Sequence, residues 1–112
     1  MKLPTIKKNR EFRAVYKHSQ SIADQNLVLY KMGNNTSSSR FGITVSSKVG
    51  NAVKRNKIKR RLKEILSSKF NQIAVGYDII FVVRVKAAQA SFQSLEKSVD
   101  KLLDKASLHR GN

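Results

Sequence analysis

Residues 77–85 place Ile79, Ile80, Phe81, Val82 and Val83 in succession. A strand with one wet face alternates apolar and polar side chains, so an unbroken apolar run requires cover on both faces. The segment is therefore expected to lie inside a sheet, with other elements packed above and below it. Residues 40–47 read differently, alternating Phe41, Ile43 and Val45 with Arg40, Gly42, Thr44 and Ser46, the period of a strand with one buried face. Residues 26–32 add a further run of Leu, Val and Tyr. Between these two strands Gly, Asn, Thr and Ser cluster at residues 33–39. That composition reads as a flexible hairpin connection, and it predicts that the flanking strands pair antiparallel.

Three segments carry helical spacing and can supply the cover. Phe12, Val15 and Tyr16 stand at i, i+3 and i+4 behind Asn9, which is placed to act as an N-cap. Ile58, Leu62, Ile65, Leu66 and Phe70 form a second stripe, and Phe92, Leu95, Val99, Leu102, Leu103 and Ala106 a third, with Ser91 ahead of it as a cap. The order becomes α-β-β-β-α-β-α. A strand following the middle helix implies a crossover and at least one parallel pair. The expectation is an α+β fold, an α/β sandwich of a mixed four-stranded sheet with three helices, forming one domain over residues 1–112.

Charge gives the first functional indication. The 112 residues hold 23 Lys and Arg against 7 Asp and Glu, a formal charge of +16. Such a small body repels itself, and a polyanionic partner relieves that repulsion, with nucleic acid the leading candidate. An anionic membrane surface competes, but it requires apolar helix faces that this chain needs for its own core. There is no cysteine, hence no disulfide framework and no Cys-ligated zinc. No stretch approaches the roughly 18 apolar residues of a membrane span, and the first residues lack the apolar run of a secretory signal. A cytoplasmic location is the resulting expectation.

Cations are densest at residues 48–63, where eight of sixteen residues are Lys or Arg. On a helix, Asn56, Lys57, Arg60 and Lys63 point away from the Ile58, Leu62 and Ile65 stripe, with Lys59 and Arg61 on its flanks. Solvated helix faces usually mix signs so that neighbouring turns attract. This one does not, and tolerated self-repulsion favours phosphate binding. Gly50 and Asn51, just ahead, suit a close approach of backbone amides to a phosphate at the helix N-terminus.

The run Lys48, Gly50, Asn51, Ala52, Val53, Arg55, Asn56, Lys57, Lys59 and Arg60 closely resembles the signature of the bacterial ribonuclease P protein family. That family's hallmark is an Arg-Asn-Arg segment, whose third position is Lys57 here. Lys7, Lys8, Asn9 and Phe12, then Tyr16, and the strand segments at residues 28–30, 42–46 and 78–84 match in register. The resemblance implies a protein subunit that helps a catalytic RNA remove the 5′ leader of precursor tRNA. The chemistry would belong to Mg²⁺ held by the RNA, with no cofactor on the protein. It implies further that Lys48, Asn51, Lys54, Arg55, Asn56, Lys57, Lys59, Arg60 and Lys63 contact the catalytic RNA. Phe12, Tyr16, Val28, Tyr30, Thr44, Ser46 and Arg84 would line a leader cleft. A family cleft position that is often Lys is Ser47 here. The family fold also carries a left-handed βαβ crossover, against the general rule. The implied partners are the catalytic RNA and precursor tRNA, with no membrane and no obligate protein partner.

Stacking of unpaired bases on aromatic rings tolerates any sequence, which suits variable leaders. Plain core packing is the other reading of Phe12 and Tyr30, whereas Tyr16 is favoured for a wetter place. A protein nuclease would need clustered carboxylates or a positioned His pair, and Glu11, Asp24, Glu64, Asp78, Glu96, Asp100 and Asp104 are scattered. His18 and His109 read as surface residues, and Asp78 as a ligand of local backbone donors. A general packaging or ribosome-associated protein, using the same basic helix without a cleft, is the alternative function.

Overall fold

The computed structural model describes residues 3–110. Its elements are α1 (Asn9–His18), β1 (Ser21–Ala23), β2 (Leu27–Gly33), β3 (Arg40–Val45), α2 (Ala52–Lys69), β4 (Tyr77–Val83) and α3 (Phe92–Lys105). Short 3-10 turns follow α2 at Phe70–Gln72 and β4 at Val85–Gln89. The expected element order, three helices and a four-stranded mixed sheet, is the one observed.

Strand order is β1-β2-β4-β3. β4 pairs antiparallel with β2 and parallel with β3, so the apolar run does lie inside the sheet. The expected β2–β3 hairpin does not form. β4 inserts between the two strands, because a strand that is apolar on both sides gains more cover in the interior than at an edge. The connection from β2 to β3 is also more ordered than its composition suggested. The Asn34 N–H donates to the Gly76 carbonyl at 2.9 Å, and the Asn34 side chain accepts the Thr36 N–H and donates to the Ser38 carbonyl. The Ser39 hydroxyl donates to Ala74 and accepts from the Tyr77 N–H.

Period-two alternation sorts the sheet's side chains into two layers. Leu27, Leu29, Phe41, Ile79, Phe81 and Val83 pack into the main core together with Ile58, Leu62, Ile65 and Leu66 of α2 and Leu95, Val99, Leu102 and Leu103 of α3. Ile80 belongs to the opposite face, where Ile6 and Val15 form a smaller cluster under α1. Phe70 packs edge-on against Phe41 at 6.2 Å and fixes the end of α2 to β3. α3 is tied down by polar contacts. Asn26 Nδ2 donates to the hydroxyls of Ser94 and Ser98, each at 3.0 Å, and Lys31 donates to the Ala106 carbonyl at the helix end. Lys69 Nζ stands 2.8 Å from the Asp100 carboxylate and links α2 to α3.

The helix caps divide. Ser91 Oγ accepts the Ser94 N–H at 3.0 Å, as its position predicts. The N-cap of α1 is Lys8 rather than Asn9, which is already helical. Glu11, three residues on, accepts the Lys8 N–H at 3.2 Å, and that backward bond fixes where the helix begins.

Candidate nucleic-acid interface

α2 is seated by its apolar stripe, with Ile58, Leu62, Ile65 and Leu66 buried. Asn51 Oδ1 accepts the Lys54 N–H at 2.9 Å and starts the helix. Opposite the stripe, Asn56, Lys57, Arg60 and Lys63 are exposed, with Lys54, Arg55, Lys59 and Arg61 half-buried along the flanks. Lys48 is exposed in the turn that precedes the helix, anchored by buried Val49. The first turn of α2 contains no acid. Cations at a helix N-terminus oppose the helix dipole, so this arrangement costs stability until an anion arrives.

The acids do not offset that charge. Glu11 and Asp78 both pair with Arg40, at 2.9 and 2.7 Å. Asp100 and Glu96 face Lys69, and Asp104 lies beside His109. Asp24 accepts the N–H groups of Asn26 and Leu27, closing the β1–β2 turn. Among the described residues, no carboxylate comes within 4 Å of a cation between Lys48 and Lys63. No group of three metal-ligating side chains forms among them either.

The second region lies on the other face of the sheet. Strand register sets Val28, Val82 and Thr44 side by side, and Tyr30, Ile80 and Gly42 in the adjacent row. α1 crosses this floor. Tyr16 OH meets Thr44 Oγ1 at 2.9 Å, and its ring stands edge-on to Tyr30 with centroids 4.9 Å apart. Tyr16 is 37% exposed, the wetter placement expected of it. Phe12 is half-buried and lies over Gly42 so closely that a Cβ there would fall 2.6 Å from its ring. Phe12 thus joins α1 to the sheet and forms one wall of the cleft. Ser46 and Arg84 sit just beyond the ends of β3 and β4, exposed, with Arg84 Nη1 donating to the Asp24 carbonyl at 2.8 Å.

Two features of this cleft escaped the sequence. Val82, at the middle of its row, is half-buried rather than enclosed, yet nothing within an unbroken apolar run distinguishes it. Asp78 does not serve local backbone donors. It is 2% exposed, takes two bonds from the Arg40 guanidinium and accepts a third from Asn34 Nδ2. Desolvation of its carboxylate demands a cation, and Arg40 satisfies it from the neighbouring strand while reaching Glu11 on α1. The hydrogen bond from Arg40 holds the Glu11 carboxyl below its ordinary 4.5, and both carboxylates hold Arg40 above the usual guanidinium range.

An aromatic cleft on one face and an unpaired cationic helix on the other form the arrangement of a protein built around RNA. A family model described as Ribonuclease P matches residues 2–107. The chain belongs to the ribonuclease P protein family. It is 42% identical over 111 residues to the ribonuclease P protein component of Thermoanaerobacter sp. (strain X514), covering 99% of this chain and 96% of that one. The component from Clostridioides difficile (strain 630) is 40% identical over 104 residues, covering 92% and 91%. Among solved structures, the Staphylococcus aureus RNase P protein superposes with a TM-score of 0.87 at 36% identity, over 93% of this chain and 95% of that one. The Thermotoga maritima RNase P protein gives 0.84 at 28% identity, over 90% and 96%. Membership makes this chain the protein subunit of ribonuclease P, an endoribonuclease of tRNA processing, partnered with that enzyme's RNA.

Proposed function

We propose that the protein grips the catalytic RNA of ribonuclease P with the exposed side of α2 and holds the single-stranded 5′ leader of precursor tRNA in the cleft beneath α1. Lys48, Asn51, Lys54, Arg55, Asn56, Lys57, Lys59, Arg60 and Lys63 meet the catalytic RNA. Phe12, Tyr16, Val28, Tyr30, Thr44, Ser46 and Arg84 meet the leader, with Val82 added between Val28 and Thr44. Mg²⁺ held by the RNA performs the hydrolysis, and the protein contributes binding and orientation. The observation that carries this reading is the separation of roles across the sheet, with uncompensated cations on α2 and stacking rings on the α1 face. The reading places the holoenzyme in the cytoplasm, without membrane or obligate protein partner.

Phosphate neutralisation supplies affinity without sequence preference, and stacking contributes roughly 1–3 kcal/mol per base with the same tolerance. Together they let one protein serve many leaders. Reconstitution decides the matter. The purified protein should bind RNA, leave precursor tRNA intact by itself, and stimulate cleavage at the mature 5′ end by the catalytic RNA at low Mg²⁺. Cleavage that ignores added protein would reject this role in favour of general RNA binding.

A further inference from the structure

A cavity of about 220 Å³ opens where the N-terminal segment, β3 and α2 meet, apart from the cleft. Ile6, Phe12 and Ile43 contribute apolar lining, and Lys59 and Lys63 stand at it from α2. The N-terminal segment bridges to β3 at Thr5 and Phe41, where the Phe41 N–H donates to Pro4 and its carbonyl accepts from Ile6. Backbone groups of a strand point to alternate edges, so the next outward-facing pair belongs to Ile43. Among the described residues neither group of that pair has a bond outside the sheet. One wall of the cavity therefore carries an adjacent donor and acceptor, another an aromatic ring, and the third two cations without a carboxylate partner.

We propose that this cavity takes one unpaired nucleotide of the catalytic RNA, its base against Phe12 and the Ile43 backbone and its phosphate on Lys59 and Lys63. The inference rests on the reading that α2 grips that RNA. An apolar recess with in-plane hydrogen-bonding groups fits a nucleobase, and cations beside it fit the attached phosphate. A bare phosphate would use only the lysines and leave the recess without purpose. Such a pocket converts general attraction to RNA into a defined register of the protein on its partner.

The unmodified protein is titrated by NMR with adenosine 5′-monophosphate and, separately, with inorganic phosphate. The nucleotide should move the Ile43 amide and the Ile6 and Ile43 methyl signals, and phosphate should leave them in place. Equal responses to both, or none to the nucleotide, would overturn the proposal. Thr5→Phe, which fills the cavity from its rim, should bind the catalytic RNA about tenfold more weakly, the scale of one base left unstacked. A folded Thr5→Phe that assembles as tightly as the unmodified protein rejects the pocket alone. Failure of the unmodified protein to assemble with that RNA would reject the reading of α2 itself. Should Thr5→Phe not fold, the titration decides.

Discussion

At the scale of single residues, Gly42 decides how α1 meets the sheet. Adding a methyl group there places a Cβ 2.6 and 2.7 Å from two Phe12 ring atoms and 3.3 Å from Ile80. Gly42→Ala should destabilise the protein by about 1–3 kcal/mol in urea unfolding, with the deficit reduced when Phe12 is shortened to Leu. Arg40 is the other pivotal residue. Arg40→Ala strands the nearly enclosed Asp78 without its cation and should cost about 3 kcal/mol, read as a lowered midpoint of thermal unfolding. The acidic limb of stability follows from Glu11 and Asp24. Arg40 lowers Glu11. Burial alone would raise Asp24, but hydrogen bonds from Ser98, Leu27 and Asn26 outweigh it and the net shift is downward. Carboxylates lowered in the folded state contribute stability above their unfolded values of 4.5 and 3.8 and lose it as pH falls through their folded values. The unfolding midpoint should therefore stay level from neutrality to about pH 5 and decline below about pH 4. A midpoint that rises on acidification would contradict these assignments.

At the scale of elements, α2 and α1 perform separate tasks and their variants should separate too. Replacing Arg60 and Lys63 together with Ala should lower the log–log salt dependence of catalytic-RNA binding by about 0.7–0.9 for each phosphate that is no longer neutralised. An unaltered slope would mean that these side chains meet only water. Tyr16→Ala and Tyr30→Ala should weaken precursor tRNA binding several-fold to about a hundredfold while sparing mature tRNA, which has no leader to stack. Equal losses for both tRNAs would assign the rings to packing instead. Helix faces were legible because every position on α2 answers to one period, and Ile58, Leu62 and Ile65 mark its buried side unambiguously. Strand partners were not. The run at residues 26–32 and the alternation at 40–47 identify two strands, but nothing in either specifies that β4 will come between them.

At the scale of the whole molecule, a net charge of +16 sits on a body whose acids are mostly engaged with Arg40, Lys69 and backbone donors. Anions that bind the folded form should stabilise it by mass action, so added sulfate should raise the unfolding midpoint more than an equal ionic strength of chloride. The sequence alone determined the elements, the cationic side of α2 and the fold class, because each is written in a local period or a local charge density. Asn51 and Ser91 as caps belong with these, since a cap is settled within three residues. The cleft is different. Tyr16 meets Thr44 across 28 positions and Arg40 meets Asp78 across 38, and the row of Val28, Val82 and Thr44 draws on three strands. Those meetings depend on which strand lies beside which. That choice was made by the burial of β4 on both faces, a property of the assembled sheet and of no single segment.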